Sequence, residues 1–218
     1  MKVTYYLEVT SSWCWWCEPM WAELKRRYAD RGVAFEWKIA KMTPSDFPTH
    51  RAHYDWFLRR SAAVMRSGFV PTSAYYEFPL PNGYPAASAV AEAARSLGAT
   101  GDEVRVALSE AAYRHGRKIG RPDVAVEIAA AAAGLDAVRL QALARAPEIA
   151  ARLDATTAEF HALQVTQRPT FVVEDDIGDR AVFSGLVKIE PLAATLEVML
   201  ADSADYAAFH AEHGDVPA

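Results

Sequence analysis

Cys14 and Cys17 are the only cysteines of the chain, and they lie in the stretch Ser11-Ser12-Trp13-Cys14-Trp15-Trp16-Cys17-Glu18-Pro19 beside half of its six tryptophans. Two thiols at a C-x-x-C spacing can exchange with disulfides, one sulfur attacking as a thiolate and the other resolving the mixed disulfide. They can also supply half of a tetrahedral zinc site. Zinc would need two more ligands, and His50-Arg51-Ala52-His53 offers a pair whose spacing is shorter than the usual one for such sites. Exchange needs an acidic thiol. Cys14 is the candidate, because the unpartnered N–H groups and positive dipole end of a helix N-terminus favour a thiolate, and thiols in such motifs fall to roughly pKa 3.5–7.5. Cys17, one turn later, is then the resolving sulfur. Cysteines this close cannot brace a fold, so a bridge between them points to function.

The flanking elements must place these thiols. Val3-Thr4-Tyr5-Tyr6-Leu7-Glu8-Val9 is rich in β-branched and aromatic residues and predicts a strand. A helix is predicted from about Glu18 to Asp30, stopping at Gly32, and Val33–Ile39 alternates as a second strand does. The opening reads β-α-β, with parallel strands if both share one sheet. Between Lys41 and Tyr84, Thr43-Pro44, Phe47-Pro48, Val70-Pro71 and the cluster Pro79–Pro85 predict loops and short helices. The aromatics of this stretch, Tyr54, Trp56, Phe57, Phe69, Tyr75, Tyr76 and Phe78, read as packing residues. Helices follow over Ala86–Leu97, Asp102–His115, Pro122–Ala133, Asp136–Leu143 and Ala146–Leu163, punctuated by Gly98, Gly116 and Gly134. Thr170–Glu174 and Ala181–Gly185 form a hairpin across the acidic turn Asp175–Asp179, and Ile189–Leu200 is a last helix before an acidic tail. Strand–helix units split by a helical insertion give an α/β or α+β sheet with helices on both faces.

With 218 residues and 51% apolar content, the chain buries a core without staples. A net charge of -5 and a pI near 5.7 exclude a nucleic-acid footprint, and no window has the length of a membrane span. The N-terminus lacks the features of a secretory signal, so a cytoplasmic protein is expected.

Cys14-Trp15-Trp16-Cys17 after the first strand, the helical insertion, and Thr166-Gln167-Arg168-Pro169-Thr170-Phe171-Val172-Val173 before the hairpin together resemble the DsbA-like branch of the thioredoxin superfamily, over nearly the whole chain. The stretches Ile119-Gly120-Arg121-Pro122-Asp123 and Ala133-Gly134-Leu135-Asp136 are similar to the cytoplasmic group of FrnE proteins and 2-hydroxychromene-2-carboxylate isomerases. The resemblance implies a thioredoxin-like fold with a central mixed sheet interrupted by a helical insertion. It implies a discontinuous thioredoxin-like domain at 1–45 and 156–205, an insertion at 46–155 and a tail at 206–218. It implies thiol-disulfide oxidoreduction by Cys14 and Cys17, with protein or small-molecule disulfides and thiols as partners, no nucleic acid or membrane partner, and no cofactor beyond glutathione as a co-substrate. Pro169 matches the family's cis-proline, and Ser12, Trp13, Trp15, Trp16, Arg168 and Thr170 would line the substrate wall with it. Arg168 replaces a usually small or apolar residue: facing the sulfurs it would lower the Cys14 pKa, and facing solvent it would be a surface arginine. Glutathione-dependent isomerase or transferase chemistry is the alternative from the same resemblance, although those enzymes typically carry serine where Cys14 stands. Zinc binding through Cys14, Cys17, His50 and His53 is the alternative from the residues alone.

Overall fold

A computed structural model describes residues 1–78, 86–185 and 188–214. The opening strand, β1 (Lys2–Leu7), is buried along nearly its whole length and occupies an inner position of a four-stranded sheet. It runs parallel to β2 (Ala34–Ile39) and antiparallel to β3 (Thr170–Glu174), which pairs antiparallel with β4 (Arg180–Ser184), giving the order β2-β1-β3-β4. The helix α1 (Ser12–Arg27) connects β1 to β2. Between β2 and β3 lie α2 (Arg51–Val64), α3 (Ala86–Ser96), α4 (Glu103–Tyr113), α5 (Pro122–Ala133), α6 (Ala137–Ala144) and α7 (Pro147–Ala162), and α8 (Ile189–His213) closes the chain. The mixed sheet and its helical interruption are as expected from sequence. Among the described residues, no helix is long and apolar enough to cross a membrane.

The pleat sends alternate residues to opposite faces. Val3, Tyr5 and Leu7 of β1 join Phe171 and Val173 of β3 on one face, against Trp21 and Leu24 of α1, Leu192 and Leu196 of α8, and the buried residues of α3 to α5. On the other face Tyr6 and Val172 pack with Ala40 and with Phe160 of α7. The larger cluster passes without a break through the expected boundary at 45/46.

Several element boundaries differ from the sequence reading. The first helix starts at Ser12 rather than Glu18, because Ser11 is its N-cap and accepts a bond from the Cys14 N–H at 3.4 Å. Pro19 lies inside α1, where it removes one bond to the Trp15 carbonyl. The stretch read as loops and short helices contains the 14-residue α2, longer than expected, whose N-cap is His50: its side chain accepts from the His53 N–H at 3.2 Å. Of the aromatics assigned to packing there, Tyr54, Tyr75 and Tyr76 are buried, but Trp56 is 53% exposed. The proline cluster at 79–85 lies outside the described residues, as do the last four residues of the expected tail. The rest of that tail continues α8 as helix to His213. Helices α5 and α6 follow their punctuation: Gly134 caps α5 in the left-handed region (φ 64°), and Asp136 caps α6 through the Arg139 N–H at 2.7 Å.

The anchor of the main core is aromatic. The Phe171 ring stacks on Tyr5 at 4.7 Å and 18°, and Trp21 lies 5.1 Å from Tyr5. Phe171→Ala is therefore expected to lower unfolding free energy by about 3–5 kcal/mol, read from urea or guanidinium midpoints at unchanged slope.

Candidate active site

Cys14, Cys17, Trp21, Leu24 and Tyr28 recur at helical spacing and form one buried stripe down α1. The two thiols therefore share a face, one turn apart, and share it with core residues. Cys14 is 2% exposed and Cys17 1%. No disulfide joins them here.

Burial reverses the expected acidity of Cys14. Its thiol is pushed up to about 11, chiefly by burial, with the Glu18 carboxylate acting the same way. The Ser11 side chain, the Glu8 backbone and the Tyr5 hydroxyl favour the thiolate but are outweighed. The magnitudes explain the outcome. A helix N-terminus contributes about 0.3–2 kcal/mol to a nearby anion, whereas full burial moves an ionisable group by up to about 3–5 pKa units.

The insertion supplies the surroundings of the C-x-x-C segment. Trp15 is buried, donates through Nε1 to Glu110 of α4 at 2.8 Å, and has its ring 5.4 Å from that of Tyr113. Trp16 donates through Nε1 to Ser61 of α2 at 3.0 Å. The Tyr113 hydroxyl donates to the Thr10 carbonyl at 2.6 Å, fixing the turn into α1, and Tyr75 bonds to both Thr10 and Tyr113. Ser12 and Trp13 are half-buried in the first turn of α1. A groove of about 740 Å³ opens beside Cys17, between Trp16 and Met20 of α1, Met65 and Arg66 after α2, and Lys188 before α8.

The Arg168–Pro169 bond is cis, as the resemblance implies. Thr170 is paired with Tyr6, so Pro169 enters β3 at the sheet end where β1 leaves for α1. Thr170 is buried and donates to the Gln167 carbonyl at 2.7 Å, and the Pro169 carbonyl accepts from the Gly185 N–H at 2.8 Å. Arg168 follows neither expected course. Its guanidinium donates to the carbonyls of Ala40, Lys41 and Thr166 and lies 4.5 Å from the centre of the Phe160 ring. Ala40 and Phe160 belong to the smaller cluster, on the opposite sheet face from the thiols. Arg168, half-buried, clasps the end of β2 instead of facing sulfur or standing free in solvent.

The four zinc candidates are not brought together. His50 and His53 are exposed around the start of α2, the cysteines are buried, and among the described residues no group of three or more His, Cys, Asp or Glu could hold a metal ion.

Three charged residues not singled out from sequence stand close to the thiols. Glu8, fully buried, accepts from the Ser88 hydroxyl and from Thr10, and burial raises its carboxyl above the usual range. Glu18 follows Cys17 directly and pairs with Arg105, which is itself 1% exposed and also bonds Asp102 at 2.7 Å. A signal for two of them was present: Glu8 sits between Leu7 and Val9, and Arg105 between Val104 and Val106, each a charge between apolar neighbours.

Over residues 2–197 the chain matches the family model of the DSBA-like thioredoxin domain. No curated protein matches it in sequence. Among solved structures it is similar to the cytosolic disulfide reductase DsbM from Pseudomonas aeruginosa, at 20% identity and a TM-score of 0.72, with 92% of this chain and 98% of that one covered. The same reductase is also solved with GSH. A 2-hydroxychromene-2-carboxylate isomerase gives 14% identity and a TM-score of 0.64, covering 94% and 99%. The oxidoreductase NmDsbA1 from N. meningitidis gives 14% and 0.58, covering 94% and 84%. At these identities the likeness is one of fold.

Two expectations follow. A thiol whose folded pKa lies above its unfolded value, about 8.5, stabilises the fold fully below that value and loses the contribution as pH rises through about 11. Unfolding free energy of the reduced protein should fall between these limits by on the order of 2–3 kcal/mol more than that of Cys14→Ser. Arg168→Ala should cost about 1–3 kcal/mol of stability, read by denaturant midpoint, while leaving the pH dependence of Cys14 alkylation unchanged.

Proposed function

This chain belongs to the DSBA-like thioredoxin domain family, and from that premise we propose that it is a thiol-disulfide oxidoreductase whose redox pair is Cys14 and Cys17. The observation that carries the reading is the placement of the only two thiols one turn apart on one face of α1, at the sheet end where Pro169 opens β3. The Cys14 thiolate attacks one sulfur of a substrate disulfide, forming a mixed disulfide and releasing the first thiolate. Cys17, deprotonated, then attacks the Cys14 sulfur, forming the Cys14–Cys17 bond and releasing the second thiolate. Two electrons pass to the substrate, whose thiolates take up the two protons that the cysteines lose. Pro169, Thr170, Ser12, Trp13, Trp15 and Trp16 are the proposed wall against which the partner lies, and the groove beside Cys17 gives it room.

Reduction is the favoured direction. A strongly oxidising pair is one whose reduced form is stabilised as a thiolate, and burial withholds that stabilisation from Cys14. The cytosolic reductase of the same fold fits this direction, a cytoplasmic setting, and glutathione as the small-molecule thiol that recharges the pair.

Cys14→Ser should abolish reduction of insulin disulfides, and Cys17→Ser should trap the mixed disulfide as a covalent adduct seen by mass spectrometry. Full turnover without Cys14 would sink the assignment. Glutathione-dependent isomerisation that survives loss of Cys17 would replace it with the isomerase reading.

A further inference from the structure

One carboxylate close to the thiols is not needed by the exchange chemistry. Glu18 stands one helical turn after Cys14 on α1, immediately beyond Cys17, with its side chain 12% exposed. Such a group is costly to bury, and it is retained here by a specific arrangement. Its Oε1 pairs with the Arg105 guanidinium, which reaches back from α4 and also holds Asp102. Asp102 in turn pairs with Lys25 at 2.8 Å and accepts from the Trp21 indole at 3.4 Å. Four charges thus alternate in sign from the C-x-x-C motif to the surface: Glu18, Arg105, Asp102, Lys25. This row of four charges is neutral as a whole but presents its negative end, Glu18, to Cys14. Glu18 Oε2 is buried and accepts no well-aligned hydrogen bond among the described residues; burial raises the carboxyl above its usual range, while Arg105 and, more weakly, the Tyr5 hydroxyl favour its charged form.

We propose that Glu18, clamped by Arg105, is a positioning residue that sets the reactivity of Cys14: it is the negative charge against which the thiol must ionise. The inference rests on the reading of Cys14 as the attacking sulfur. The groups that face this carboxylate are Cys14 on its own helix, Tyr5 from β1, and Arg105 and Asp102 from α4, with Glu110 and Arg114 of the same region lining the cleft it borders. Among them Arg105 is the fixed cation on Glu18. Tyr5, with its hydroxyl 3.1 Å from the Cys14 carbonyl, contributes no charge until well above the usual tyrosine range. Beyond the larger effect of burial, the charged contribution at Cys14 therefore comes from Glu18, with Arg105 as the counter-charge that holds it. An oxidised pair carries no charge to repel, whereas a thiolate does, so the carboxylate penalises one redox form selectively.

A purely structural role, fastening α1 to α4, makes a different prediction, and alkylation kinetics separate the two. In full-length Cys17→Ser protein, where Cys14 is the single thiol, E18Q keeps the shape and a hydrogen bond to Arg105 but removes the charge. Its Cys14 should ionise at lower pH, with alkylation near pH 7 faster by about tenfold for each unit of displacement and the plateau rate at high pH unchanged. E18D, which retains the charge, should return the profile toward that of the parent. D102N, at the less buried end of the chain, should shift the profile in the same direction by less, and serves if E18Q does not fold. An unshifted profile in E18Q and D102N overturns the proposal, as does a plateau that rises in step with the neutral rate, which would mean greater exposure alone. Failure of the redox reading shows separately, as absence of a Cys14–Cys17 disulfide in unmutated protein equilibrated with oxidised glutathione.

Discussion

The face of α1 that holds the two thiols is also the face that closes the core. Cys14 and Cys17 continue the stripe of Trp21, Leu24 and Tyr28, so any packing that secures the helix removes the sulfurs from water. Ionisation is then governed by desolvation before local capping has its say. The Ser11 cap and the helix start still act on Cys14, but their size is that of a surface electrostatic contribution, whereas the penalty they oppose is that of a buried charge. The alternating charges from Glu18 to Lys25 belong to the same constraint, because a carboxylate next to buried sulfur persists only with a cation as deeply placed as Arg105.

The sheet and the insertion contribute differently to this arrangement. β1 and β3 fix where α1 begins and where Pro169 stands, through a register that pairs Tyr6 with Thr170. The insertion decides what the helix start touches. Both residues between the cysteines give their indole N–H to it, Trp15 to α4 and Trp16 to α2, and Tyr113 holds the turn at Thr10. Arg168 plays its part on the far face, joining the entry of β3 to the exit of β2 through backbone carbonyls.

Much of this was legible in the residues. The C-x-x-C pair, the strand before it, the proline opening β3 and the hairpin all rest on local patterns, and the insertion helices announce their limits by Gly, Pro and Asp. Even the burial of the thiols was written in the spacing, since 14, 17, 21, 24 and 28 form one helical stripe. The start of α1 lies at Ser12 rather than Glu18 because Ser11 caps it ahead of the tryptophan run, and α2 is longer than the short helices expected there because its N-cap is a histidine rather than a usual cap residue. The acidity of Cys14 and the orientation of Arg168 were not legible at all. The first depends on helices packed from distant sequence, and the second on carbonyls at 40 and 41 that share no motif with residue 168.

The pair of indole bonds made by Trp15 and Trp16 bears on how the molecule could be dissected. In chain order the insertion looks removable, a loop grown long between two strands of a sheet. In contact order it is not, because its helices receive hydrogen bonds from inside the reactive motif itself. A shortened chain that kept the strands, α1 and α8 would leave two indole N–H groups and the Thr10 carbonyl seeking new partners, and would open the apolar wall of Trp15 to water. Redox segment and insertion are thus joined from within the motif, and a minimal version of this protein would have to be redesigned at residues 15 and 16 rather than simply cut.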